Sequence, residues 1–207
     1  MSHANDDNND TDSAKATDNT ITNHNAHLAA IDINATDSID DDVLDTFYRQ
    51  DALLPIMITT LDYMNERVNH GLALPYFVDI DPERWQAKFK ALDIYITDTI
   101  EGRALNLDAR DKDYATNILS YPSDLPSAVI ELMPVLPLGE LVICHEVVVA
   151  EAKEQNKTVT QHISHLFIHG VLHLLGFDHE LGQAEQDEME RFEIEILAGL
   201  DLPNPYL

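Results

Sequence analysis

The spacing between hydrophobic positions changes several times along this chain, and each change marks an element. In TLDYMNERV (Thr60–Val68), Leu61, Met64 and Val68 stand three and four apart, as on one face of a helix. Leu92, Ile94 and Ile96 alternate with Asp93, Tyr95 and Thr97, which predicts a strand. Asp98 then begins a capping-box-like start in which Glu101 can reach back, opening a short helix through Leu107. A second strand is expected over Thr116–Tyr121, ended by Pro122. ELVICHEVVV (Glu140–Val149) begins apolar and β-branched, so a buried strand there should lead into a helix.

TVTQHISHLFIHGVLHLLG gives the clearest helix. Thr158 and Gln161 make a capping box, and Gly176 is the expected C-terminal stop. Ile163, Phe167, Val171 and Leu174 form one stripe, which Leu166, Ile168, Leu172 and Leu175 widen almost all round. A helix of that kind belongs at the centre of a domain. QAEQDEMERFEIEILAGL is amphipathic through Met189, Phe192, Ile196 and Leu197. Together these elements predict an α/β (α+β) fold, a small mixed β-sheet packed with helices around a central buried helix.

Residues 1–46 are rich in Asn, Asp, Thr and Ala and poor in core-forming side chains. They are expected to be a disordered acidic arm before a single domain over 47–207. The formal charge is −26, and residues 1–50 supply only −9 of it, so the acidity is not confined to the arm. That balance argues against a broad nucleic-acid footprint, which normally shows as a basic face. A general solubility or salt adaptation explains it equally well. MSHANDDNND has neither the basic end nor the apolar centre of a secretory signal, and no apolar run approaches the ~20 residues of a membrane helix. Cys144 is the lone cysteine and can form no internal disulfide, so a cytoplasmic protein without a membrane partner is expected.

On the central helix His169 and His173 are four apart and project from one face. Beyond Gly176 the chain can bring His179 back as a third vertex. Three neutral imidazoles leave one tetrahedral position open, as in a catalytic zinc site, so one Zn2+ per chain is expected. Any one of these histidines alone would read as a separately satisfied side chain. The +4 and +10 spacing around a helix-ending glycine argues otherwise for the set. His165 and His162 extend the same face backwards, His165 as an orienting or groove residue and His162 as a surface residue near the helix start. Asp178 either orients a histidine through its free ring nitrogen or caps the turn.

The same spacing occurs in zinc peptidases of the HExxHxxGxxH kind, whose glutamate takes a proton from water. Gly170 stands at that position here. Either a base comes from elsewhere, or the metal suffices by lowering the pKa of its water to about 7. A phosphodiester needs charge stabilisation at its oxygens more than a carboxylate beside them.

HGVLHLLGFDH (His169–His179) resembles the H-G-x-L-H-L-x-G-Y-D-H hallmark of the YbeY family, the bacterial endoribonucleases of ribosomal RNA maturation. Phe177 takes the tyrosine's place. LNLDARDKDYATNILSYP (Leu105–Pro122) is similar to the family's L-N-x-x-Y-R-x-x-D-x-x-T-[ND]-V-L-S-F-P, with Ala109 and Tyr121 departing from it. LGELVICHEVV (Leu138–Val148) and EMERFEIEIL (Glu188–Leu197) resemble a third block and the closing helix. The likeness covers about residues 88–207, while residues 47–87 match poorly.

The resemblance implies that His169, His173 and His179 are the metal ligands, and that the family's arginine of RNA cleavage falls on Arg110. A planar guanidinium suits a phosphate in reaction, although Arg110 alone would read as an ion pair with Asp108, Asp111 or Asp113. Arg103 and Lys112 could extend a small positive lane for backbone phosphates. The implied activity is a single-strand-specific, metal-dependent endoribonuclease in ribosomal RNA processing (maturation of the 3′ end of 16S rRNA) and ribosome quality control. Its implied partners are ribosomal RNA, the small ribosomal subunit and its assembly factors, with no DNA. The rival reading is a zinc metallopeptidase, supported by ligand spacing and acidity but opposed by Gly170. A third is a ribosome-assembly factor with a structural metal.

Overall fold

The structure, a computed structural model, describes residues 29–207. Four strands, β1 (Ala29–Ala35), β2 (Phe89–Thr97), β3 (Ile118–Pro122) and β4 (Val135–Cys144), form one sheet in the order β1-β2-β4-β3. β1, β2 and β4 run parallel, and β3 closes one edge antiparallel to β4. Leu92, Ile94 and Ile96 of β2 are buried and Asp93 is exposed, as their alternation requires.

β1 and the helix α1 (Asp41–Phe47) fall inside the stretch expected to be an unstructured arm. That boundary is corrected: the folded part begins no later than Ala29. Ile31 is buried and Ile33 half-buried, while Asp32 and Asn34 face solvent. β1 pairs with β2 along its whole length, from Ala29 opposite Lys90 to Ala35 opposite Ile96. An edge strand with one face to cover needs few apolar residues, so acidic neighbours hid it. The remainder of the expected arm, residues 1–28, lies outside the described residues.

The helices are α2 (Gln50–Asn69), α3 (Pro82–Ala87), α4 (Thr99–Arg110), α5 (Ser127–Leu132), α6 (His145–Glu154), α7 (Val159–Leu174) and α8 (Gln183–Gly199). β4 runs directly into α6. α7 occupies the centre, packed against β3, β4, α2, α6 and α8. Phe167, Ile168, Val171, Leu172 and Leu174 are wholly buried along it, and each such side chain contributes roughly 1.5–3 kcal/mol on burial. The Thr158–Gln161 capping box is present in both directions. In α8, the expected stripe of Met189, Phe192, Ile196 and Leu197 is buried.

α4 departs from expectation in two ways. Asp98 caps it by accepting from the Ile100 and Glu101 amides, but Glu101 does not reach back. Its carboxylate accepts the Tyr95 and Thr97 hydroxyls instead. The helix also continues to Arg110 and stops where Asp111 adopts a left-handed φ of 56°. Arg110 therefore stands on the last turn of the helix, three residues beyond the end expected at Leu107.

Candidate metal centre

α7 carries the centre where it borders β3 and the end of α4. Gly176, at φ 98°, turns the chain after Leu175, a conformation glycine adopts without strain. The turn brings His179 beside the two helical histidines. Ring centroids lie 4.6 Å apart for His169 and His173, 5.1 Å for His169 and His179, and 5.3 Å for His173 and His179. One ring nitrogen from each falls within 4.8 Å of the others, a group that could hold one metal ion. The donor set is three imidazoles, which suits a borderline divalent ion such as zinc.

Two observations show that these rings suit a ligand role. Burial, with His169 and His179 alongside, holds the His173 pKa down to about 4, so this ring is neutral and has a lone pair to give. His169 is oriented by Glu193, whose Oε1 lies 2.7 Å from its Nδ1. A carboxylate only accepts, so Nδ1 carries the proton and Nε2 is left free toward His173, 3.1 Å away.

Glu193 is a candidate site residue that sequence reasoning missed. It is 1% exposed and accepts from three donors: His169, His165 Nε2 at 2.8 Å, and the Tyr206 hydroxyl. Burial alone would raise its pKa, but the hydrogen bonds from His165 and His169 outweigh it and bring the value to about 2. A signal for it existed. Position 193 lies on the α8 stripe between Phe192 and Ile196, where a lone glutamate breaks an apolar face.

The other expected residues divide. His165 lines the groove and reaches Glu193, as an orienting residue would. Asp178 caps the turn, its Oδ1 accepting the Glu180 amide at 2.8 Å, and Glu193 takes the orienting role. His162, expected at the surface, is buried, its Nε2 2.9 Å from Glu151, which also accepts from Asn117. Arg110 borders the groove and pairs with Glu180 at 2.5 Å rather than with a neighbouring aspartate. Arg103 is held by Asp113 through two hydrogen bonds, and neither it nor Lys112 borders the groove.

The groove has a volume of about 810 Å3 and runs between α7, β3 and the end of α4. Gly170 is absent from it for a physical reason. A Cβ there would lie 2.7 Å from Leu141 Cδ2 and 2.8 Å from Ile118 Cδ1, because this side of α7 rests on the sheet. A glutamate at 170 would enter the apolar core rather than the metal centre. The peptidase base has no place at this position.

The family model described as Endoribonuclease YbeY matches residues 77–201. A protein named Endoribonuclease YbeY from Psychrobacter cryohalolentis is 75% identical over 154 residues, 74% of this chain and 99% of that protein. Its namesake from Psychrobacter arcticus is 78% identical over 139 residues, covering 67% of this chain and 68% of that protein. The Acinetobacter baumannii namesake is 54% identical over 113 residues, 55% of this chain and 72% of that protein.

Proposed function

The chain belongs to the YbeY family, and on that premise we propose that it is a single-metal endoribonuclease cleaving single-stranded ribosomal RNA in its groove. The observation that carries this reading is the convergence of His169, His173 and His179 at a groove that Arg110 also borders. Zinc is the proposed ion. When bound, it supplies Lewis-acid polarisation of a phosphoryl oxygen and a water of lowered pKa.

The chain's own residues supply orientation and charge. Glu193 fixes the His169 tautomer, and His165 and Tyr206 hold Glu193 in turn. Arg110 brings a guanidinium to the phosphate. Its present partner, Glu180, is largely exposed, and such a pair contributes only about 0–1 kcal/mol, so a phosphate can replace the carboxylate at little cost. Two parallel N–H donors then stabilise charge developing on the phosphoryl oxygens.

The proposed setting is the cytoplasm, with the substrate presented by the small ribosomal subunit and its assembly factors during 16S rRNA 3′-end maturation and quality control. Presentation by a partner suits a chain of net charge −26, which slows its encounter with free RNA. No described helix is long and apolar enough to cross a membrane. A metallopeptidase is not favoured, because position 170 faces the sheet. The test incubates metal-loaded protein with single-stranded RNA and with a peptide library, using chelated protein as control. Metal-dependent cleavage of RNA alone is expected, and cleavage of peptides alone would overturn the reading.

A further inference from the structure

We propose that the cavity beside the metal groove, bordered by Tyr76 and Tyr121, is a nucleobase subsite that holds one unstacked base of the RNA strand. This inference rests on the endoribonuclease reading and extends it to how the substrate is gripped. The cavity has a volume of about 410 Å3. Its floor is apolar, with Leu138 and Leu174 wholly buried. Tyr76, Tyr121 and Pro122 line both this cavity and the metal groove, so the two are continuous through a partly aromatic wall.

The lining excludes other occupants. Among the described residues no Lys, Arg or His borders the cavity, and Asp124 is an acid, so a phosphate is disfavoured there. An uncharged, flat, partly apolar group with polar edges fits instead, and a base on the strand entering the groove is such a group. The Asp124 carboxylate can accept from exocyclic amino groups on its edge.

Tyr76 is also mounted in a way a surface tyrosine does not need. It is 56% exposed, yet its amide donates to the Leu175 carbonyl at 3.3 Å. A Cβ at Gly176 would lie 2.7 Å from Tyr76 N and 2.9 Å from its Cγ. Gly176 thus does more than end α7. It lets the Tyr76 backbone press against the turn that leads to His179, which places this residue where the cavity and the metal groove meet.

Charge strengthens the case. Among the described residues Arg110 is the one Lys or Arg that lines the groove, and Glu151, Glu154, Asp178 and Glu180 border it too. With so few phosphate contacts available, strand affinity must come from elsewhere, and base–aromatic stacking is the general alternative. It also gives a reason for single-strand preference, since a base paired in a duplex cannot enter a side cavity.

The test measures binding of a fluorescent single-stranded RNA hexanucleotide, made cleavage-resistant by 2′-O-methyl phosphorothioate linkages, to the metal-loaded full chain. Tyr76→Ala should weaken binding on the order of ten-fold, the usual scale of a lost stacking partner, with metal content and melting temperature unchanged. Tyr76→Phe, which keeps the ring, should bind as the wild type does. An abasic scan should reveal one position at which base removal costs the wild type affinity but costs Tyr76→Ala nothing. If the wild type binds this RNA and Tyr76→Ala binds it equally well, the subsite is overturned and the endoribonuclease reading stands. If the wild type binds and cleaves no RNA at all, both fall.

Discussion

Two clefts of this molecule each hold a nearly buried charge, and they treat it in opposite ways. In the groove over α7, Glu193 is 1% exposed and its carboxylate accepts from His165, His169 and Tyr206. In the cleft between α2 and the end of α3, Lys90 is 3% exposed. Its ammonium donates to the Trp85 and Gln86 carbonyls and lies 4.6 Å from the centre of the Trp85 ring. Donors more than offset the burial of Glu193, and its pKa falls to about 2, so the charged form is the favoured one. For Lys90, burial outweighs the help of Asp62, and with Lys88 adding repulsion its pKa falls to about 8, so the charged form is the strained one.

The difference teaches that burial of a charge does not by itself mark a working site. What matters is what the charge holds. Glu193 holds His169, a candidate metal ligand, in one tautomer, whereas Lys90 holds the last carbonyls of a six-residue helix. The groove side orients a candidate metal ligand, and the cleft side closes off a helix end.

The largest expected effect that separates the two regions is at Arg110. Arg110→Lys keeps the charge but loses the paired donors, so RNA cleavage should fall roughly 100-fold or more, the scale of a missing transition-state donor. Metal content and fold should be retained. Cleavage at the normal rate, measured in single-turnover assays, would remove Arg110 from the reaction.

Glu193→Gln comes next. The amide has no charge and only one accepting oxygen for three donors, so it holds the His169 Nδ1 proton less firmly, and metal affinity should drop about 10- to 100-fold, as for other orienting partners. Competition with a chromogenic chelator measures it. Unchanged affinity would reduce Glu193 to a packing residue and erase the contrast with Lys90.

The third effect belongs to the cleft and is read in stability rather than in metal binding or cleavage. Because the folded pKa of Lys90 lies near 8 and the unfolded one near 10.5, the unfolded state binds more protons between those values, and stability rises with pH across that window. Below pH 8 the cost of the buried ammonium is fully present. Lys90→Met should abolish this rise, which amounts to at most about 3 kcal/mol, and leave metal content and RNA cleavage unchanged. Urea unfolding across the window checks it, and parallel wild-type and variant curves would contradict the assignment.

Much of this was legible in the sequence, and the reasons for the gaps are physical. α7 was legible because its cap, its apolar positions and its terminal glycine agree. The three histidines were legible because i, i+4 spacing followed by a glycine turn leaves them little freedom. Glu193 was legible only as an acid on an apolar stripe, since nothing local says that it meets a histidine 24 residues earlier in the chain. β1 was hidden because pairing with β2, not its own composition, makes it a strand. The burial of His162 depends on Glu151, eleven positions away on α6. The reach of α4 to Arg110 was obscured because Asp111, rather than glycine, takes the left-handed turn.

Elemental analysis of the purified full chain and its His179→Ala variant tests the central claim most directly, that three histidines from α7 and the following turn hold one ion. One divalent ion per wild-type chain is expected, and well under one in the variant, because removing a vertex leaves only the two helical ligands. Full occupancy in His179→Ala would contradict the account.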